Sequence, residues 1–281
     1  MSGLEDNILS DLMEELEAGK LVLPSLPEVA LKVRDTIEDD DVNTSKIAKV
    51  LITDPGLTAR VIQVANSPLV RGTKEIDSVE TAITRMGNSM VKNVVNGLIV
   101  QQMFQPTTEV SDQKFRQFWV HSTQVAAICH ALASFARLKP DQALLAGLMH
   151  DIGSLPIIKR AEDVPELLAD VAMLDRIIMQ AHTKIGEAML KKWQLPAELI
   201  EVAAEHEHLL RDTGGPADYV DIVIASNLQS YIGENHPHAE VDLTIVPALS
   251  KLGLTAEVSV VDMEDTGESI KEVQDALLRT G

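Results

Sequence analysis

The chain has 281 residues, 24 basic and 43 acidic, with a formal charge of -19 and a pI near 4.7, the wrong sign for a protein that relies on phosphate contacts, so nucleic acid is not an expected partner. With 45% hydrophobic residues it can bury a substantial core, as one large domain or two of ordinary size, and is not expected to be disordered. The single cysteine, Cys129, excludes an internal disulfide and suits a reducing compartment. The N-terminus is polar and acidic, without the layout of a signal peptide, and no run of about twenty apolar residues occurs. A soluble, cytoplasmic protein with no membrane segment is expected.

Leu4, Ile8, Leu12 and Leu16 recur at helical spacing and predict an acidic surface helix ending near Gly19. After the turn at Pro24 and Pro27, Val29, Ala30, Val33 and Ile37 predict a second helix that stops in the acidic run Glu38 to Asp41. That run is read as a solvated turn, with a basic partner or a cation as the other reading. Asn43 and Thr44 can cap a third helix, with Ile47, Val50 and Leu51, and Asp54-Pro55 opens a fourth with Leu57, Val61, Ile62 and Ala65 as its core face. Asp77 and Glu80 fit a capping box for the helix of Ala82, Ile83 and Met86, which Gly87 stops; Met90, Val91, Val94, Val95, Leu98 and Ile99 carry the pattern on to Phe104.

The polar stretch Gln105 to Gln113 marks a predicted break. Residues 1–108 are expected to form an N-terminal helical subdomain, 109–240 a second one and 241–281 a tail. A long helix follows the break with Phe115, Phe118, Trp119, Val125, Ile128, Cys129, Leu132 and Ala136. His121 and Ser122, three and four residues after Phe118, face its packed side. The stretch Asp141 to Leu155, DQALLAGLMHDIGSL, is apolar on almost every face, as in a helix buried all round. Yet it closes in His150-Asp151, an ionisable pair that is costly to bury unless hydrogen-bonded, paired or coordinated to a metal.

A loop and a helix through Val171, Leu174, Ile177 and Ile178 come next, then His182, Ile185, Gly186, Met189, Leu190 and Trp193. After a stop at Leu195-Pro196, a helix runs through Ile200 and Val202 to Glu205 and His206. Tyr219 to Ile232 is too long for one typical strand and is read as helix. In the tail, Val241 to Val246 and Val258 to Val261 can form short strands, while Ile270 to Leu278 has a helical period. The expected fold class is all-α, with strands only in the tail.

Neutral imidazoles and ionised carboxylates are the groups that hold divalent cations, and a cation so held can activate water and neutralise charge on a phosphoryl group. Each residue also has a plainer reading. His121 can be a hydrogen-bonded core histidine, His150-Asp151 a pair set against a helix C-terminus, and His182 and His206 caps or partners. His130, His208, His236 and His238 lack any supporting pattern and are assigned to the surface.

The order His121, His150-Asp151, His182, His206 resembles the HD superfamily of metal-dependent phosphohydrolases. The segments LPSLP, DPGLTARVIQVANSP, GLMHDIG, HTKIG and WQLP, spread between Leu21 and Gly233, narrow the likeness. Together they resemble the HDOD family, the HD-related output domains of bacterial signalling proteins. The resemblance implies an HD-domain-like helical bundle with an additional N-terminal helical subdomain, and usually a degraded metal site that serves as scaffold or regulatory output. His121, His150 and Asp151 match three of the four ligand positions of a basic HD site; the fourth, an aspartate expected between Ile222 and Gly233, aligns with Ser226, an uncharged and weak ligand. The cyclic-dinucleotide phosphodiesterase branch, HD-GYP, adds an H-x-x-x-G segment, matched by His182 to Gly186. Its His-His-Glu segment reads Glu205-His206-Glu207 here, with Glu205 as a candidate ligand. Ser154 stands where that branch has a lysine, and Asp212 to Pro216 lacks the tyrosine of its Gly-Tyr-Pro loop. The implied function is a signal-transduction module with a partly retained site for a divalent metal (Fe, Mn, Mg or Zn), acting through signalling proteins, with input from another chain and negligible turnover. The alternative is a metal-dependent phosphohydrolase acting on a nucleotide or cyclic dinucleotide.

Overall fold

The structure, a computed structural model, describes residues 3–67, 69–70, 75–234, 236–255 and 264–278. Among these residues it contains α-helices and short 3-10 turns and no strand, so the fold is all-α. None of its helices is long and apolar enough to cross a membrane.

The N-terminal part comprises α1 (Gly3–Glu17), α2 (Glu28–Glu38), α3 (Thr44–Leu51), α4 (Pro55–Ala65) and α5 (Val79–Met103). Asn43 accepts from the Lys46 N–H and Asp54 from the Leu57 N–H, so the caps of α3 and α4 are those the residue types demand. The capping box expected at Asp77 does not form. Helix α5 starts one residue later, and the Ser78 hydroxyl accepts from the Thr81 N–H. Gly87, at φ 76° and ψ 161°, breaks α5 into two runs, because an L side chain is strained at that φ.

Helix α6 (Glu109–Leu132) is capped by Thr108, which shortens the predicted break: Glu109 to Gln113 are already helical. Then come α7 (Pro140–Met149), α8 (Ser154–Ala161), α9 (Pro165–Ala169), α10 (Val171–Lys192), α11 (Ala197–Glu205), α12 (Tyr219–Ser230), α13 (Pro247–Lys251) and α14 (Glu264–Leu278). The expected loop before Val171 thus holds two short helices. The strand expected at Val241 to Val246 is absent. Pro237–Glu240 and Leu243–Ile245 form 3-10 turns, the second fixed by Asp242, which accepts from both the N–H and the hydroxyl of Thr244. The other expected strand, Val258 to Val261, lies outside the described residues.

Helix α12 forms the centre, with all twelve residues buried. A reciprocal capping box between Asp218 and Asp221 starts it, and buried Asp221 is flanked by Lys251 at 3.3 Å and Arg211 at 3.6 Å. Around it pack α6, α7, α11 and α13. The segments LPSLP and WQLP meet across the molecule: Lys192 Nζ donates to the Leu23 carbonyl (2.7 Å), Trp193 Nε1 donates to the Pro24 carbonyl (2.9 Å), and Arg34 Nη1 donates to the Trp193 carbonyl (3.3 Å). Each such bond contributes on the order of 1 kcal/mol.

Helix α7 is buried from Ala143 to Met149 and lies against α6 at a glycine. A Cβ on Gly147 would fall 2.5 Å from Ala126 Cα and 2.7 Å from its nitrogen. Backbone cannot yield as a side chain can, so Gly147→Ala should destabilise the fold by about 2–3 kcal/mol. Chemical denaturation measures this; a loss below about 0.5 kcal/mol, the usual range for surface changes, would mean that α6 and α7 are not so closely apposed.

Candidate metal centre

Two helix C-termini meet where the buried histidines gather. His150 follows the last residue of α7 and His206 the last residue of α11, and both are fully buried. Carbonyls in a terminal helical turn lack part of their hydrogen bonding and carry the negative end of the helix dipole. His150 Nδ1 bonds the Gly147 carbonyl at 2.8 Å and His206 Nδ1 bonds the Val202 carbonyl at 3.0 Å; on α10, His182 Nδ1 bonds the Ile178 carbonyl at 2.9 Å. A carbonyl can only accept, so each Nδ1 carries the proton. Each Nε2 is left with a lone pair, the arrangement found in metal-binding imidazoles.

Those Nε2 atoms converge on Asp151. One carboxylate oxygen, Oδ1, is 3.3 Å from His182 Nε2 and 3.0 Å from His206 Nε2; the other, Oδ2, is 3.3 Å from His150 Nε2 and 3.7 Å from His121 Nε2. His182 and His206 also face one another, Nε2 to Nε2, at 3.2 Å. Two lone pairs so placed repel unless a proton or a cation lies between them. His150 Nε2 is buried and, despite its nearness to Asp151, has no hydrogen bond of proper geometry. A buried imidazole nitrogen left without a partner fits a missing ligand.

Two donor groups therefore share Asp151. His121, His150 and Asp151 form one; Asp151, His182, His206 and Glu207 form the other; within each group the donor atoms lie within 4.8 Å of one another. His121 is held down to about 3 by burial and by His150, against the pull of Asp151, and is neutral at physiological pH. Burial opposes ionisation of Asp151, but the surrounding histidines keep it well below the usual carboxylate range. Glu207 is similarly drawn to about 2, burial being outweighed by the bond from His238 and the nearby His206.

The pieces are brought together by glycine. A Cβ on Gly153 would lie 1.9 Å from the His182 carbonyl oxygen and 2.4 Å from the Gly186 nitrogen, so only glycine lets the turn after His150-Asp151 rest on the backbone of α10. A Cβ on Gly186, one turn beyond His182, would in turn lie 3.4 Å from Gly153 N and 3.4 Å from the Ala203 Cβ on α11. The H-D-x-G and H-x-x-x-G spacings are thus two sides of one backbone contact.

Of the residues singled out by sequence, His121, His150, Asp151, His182 and His206 are gathered here. Glu205 is not: its carboxylate turns outward to His208 Nδ1 at 2.6 Å, and Glu207 is the acid in the cluster. Ser226 is fully buried near the Cys129 thiol, whose pKa burial pushes up to about 12, and its hydroxyl has no hydrogen-bond partner among the described residues. Two histidines assigned to the surface lie at the rim instead. His238 Nε2 pairs with Glu207 Oε2 at 3.2 Å, and His236 stacks on Tyr231 with centroids 3.7 Å apart. Tyr231 also stacks on His121 at 4.9 Å. No sequence pattern marks His236 and His238, and Tyr231 is the penultimate residue of the predicted helix Tyr219 to Ile232.

Comparisons with known proteins agree with this architecture. A crystal structure from Shewanella amazonensis SB2B, of a protein named a "putative metal-dependent phosphohydrolase", is 27% identical and superposes with a TM-score of 0.87 over 98% of this chain and 100% of that one. An HDOD domain protein of unknown function from Geobacter sulfurreducens, 23% identical, shares the fold with a TM-score of 0.69 over 97% of this chain and 99% of that one. An uncharacterised protein of Treponema pallidum is 26% identical over 201 residues, which span 66% of this chain and 38% of that protein. The model of the HDOD domain matches residues 23–209, and the chain belongs to that family.

Proposed function

We propose that this chain is a metal-binding regulatory module of bacterial signalling, acting in the cytoplasm through protein partners rather than by turning over a substrate. The observation that carries the metal reading is the set of Nε2 lone pairs, aimed by three Nδ1 bonds to backbone carbonyls at a single two-sided carboxylate. His121, His150 and Asp151 would hold one divalent cation, and Asp151, His182, His206 and Glu207 a second. An imidazole-rich set suits iron, manganese or zinc better than magnesium. When bound, such a cation would supply Lewis acidity and lower the pKa of a coordinated water. The chain's own contribution is to keep Asp151 and Glu207 ionised and the imidazoles oriented, with the negative ends of α7 and α11 favouring positive charge between them.

The regulatory reading rests on what surrounds the cluster. The neighbours of Asp151 and Glu207 are imidazoles. Ser154, at the lysine position of the phosphodiesterase branch, is buried at the start of α8. A phosphate ester would therefore meet two carboxylates on a chain of charge -19, with no lysine or arginine paired to either among the described residues. The second reading, a phosphohydrolase for a nucleotide or cyclic dinucleotide, is favoured by the four donors around His182 and His206 and by the name of the Shewanella protein.

Protein purified without chelator should contain tightly held transition metal, and stripping it should lower the thermal midpoint. Metal at 100 times its Kd should add about 2.7 kcal/mol of stability. Asp151→Asn, which removes charge from both groups, should abolish that increment; equal melting of loaded and stripped wild type would sink the metal reading.

With manganese, iron or magnesium added, cyclic dinucleotides and generic phosphodiesters should not be turned over above the level of a His150→Ala, Asp151→Ala variant. Robust turnover by the wild type that vanishes in that variant would replace the regulatory reading by the hydrolase.

A further inference from the structure

The group of His121, His150 and Asp151 offers three donors, one short of the smallest complete set for a transition metal. The helix expected to supply the fourth is α12, where Ser226 is an uncharged and weak donor. It faces Cys129, eight residues along α6 from His121, which is about 12 Å at the helical rise. Tyr231, the residue that ends α12, does reach the His121 member of the group. Its hydroxyl oxygen is 3.4 Å from His121 Nε2.

That separation matches those within the group itself, where Asp151 Oδ2 is 3.3 Å from His150 Nε2 and 3.7 Å from His121 Nε2. Donors bound to one ion at about 2.1 Å and at right angles lie roughly 3 Å apart by simple geometry, so all three distances are those of neighbours on one coordination sphere before it tightens. The phenol ring is not free to swing away. It stacks on the His121 ring, 4.9 Å and 24° away, and on the His236 ring, 3.7 Å and 8° away.

We propose that Tyr231 Oη is the fourth donor of the His121, His150 and Asp151 group, taking the place of the carboxylate that α12 lacks there. This rests on the metal-binding reading above and assigns that position to a hard cation of the iron type, since a phenol oxygen joined to two imidazoles and a carboxylate suits such an ion. On coordination the phenol O–H bond breaks, its proton passes to solvent, and an oxygen lone pair forms the bond to the cation; no electron changes hands. The neighbouring group of Asp151, His182, His206 and Glu207 supplies two imidazoles and two carboxylates, so the two positions should differ in metal preference.

The test uses the full chain, stripped and reloaded with ferric iron supplied as a weak chelate. Phenolate bound to ferric iron gives a visible charge-transfer band and enhanced tyrosinate modes in the resonance Raman spectrum. Wild type should show both, with iron bound in stoichiometric amount. Tyr231→Phe, which keeps the ring stack and should melt as wild type does when stripped, should lose both and bind iron at this position at least about tenfold more weakly, the lower end of what losing a mere outer-shell partner costs. Iron bound by wild type without the band or the Raman modes, or a band that survives in Tyr231→Phe, overturns the assignment while leaving the metal centre standing. Wild type that takes up no iron, manganese or zinc overturns the metal reading and this assignment with it. The Raman measurement on wild type alone decides the matter should the variant fail to fold.

Discussion

The cluster depends on one contact between backbones, that of Gly153 with the His182 carbonyl and Gly186. Four helices could bring histidines to the same region in many ways, but the ligand atoms fall into groups within 4.8 Å only because the turn after Asp151 can lie directly on α10. A methyl group at Gly153 would push that turn outward and separate Asp151 from His182 and His206. Side-chain packing relaxes by rotamer change, whereas a displaced backbone carries the whole turn with it. The glycines are therefore as much part of the centre as the donors.

The second constraint is electrostatic. Five imidazoles and two carboxylates are gathered in a region where an unpaired charge is costly. Among the described residues, no buried side chain of fixed positive charge pairs with Asp151 or Glu207. Instead the Nδ1 protons are given to carbonyls, which leaves the faces turned towards Asp151 rich in electrons. His238, whose pKa is raised by its bond to Glu207, holds that carboxylate from outside. A region so composed is stable when a small cation or a shared proton fills it, and this links the metal reading to the fold itself rather than to surface decoration.

Helices and their buried faces were legible because they are periodic. An unbroken apolar stretch identified α7, and the phase of Phe118 placed His121 inward; both follow from 3.6 residues per turn. Depth along a helix is a different quantity. The window from Ile222 to Gly233 contains both Ser226 and Tyr231, and helical phase alone does not say which of its residues stands at the depth of His121, where Tyr231 lies. Helix ends hide direction as well. His206 caps α11 and the chain turns there, so the outward Glu205 and inward Glu207 could not be told apart by helical phase. His236 and His238 follow a turn and owe their position to Tyr231 and Glu207, contacts distant from any periodic signal.

The same distinction bears on why a phosphohydrolase-like centre can persist in a regulatory protein. Donors held by helix phase and by glycine contacts are tied to the core, and losing one leaves the remaining buried polar atoms unpaired, at about 1–3 kcal/mol each. Residues that receive a substrate carry no such tie. Ser154 begins a helix as well as a lysine would, and the loop from Asp212 to Pro216 is largely exposed. Substrate handling can therefore be lost at small cost to folding, whereas the geometry of the His/Asp cluster cannot. On the metal-binding reading proposed above, occupancy of the cluster would stabilise the contact between α7, α10 and α11, the kind of coupling through which a partner protein would sense whether the centre is filled.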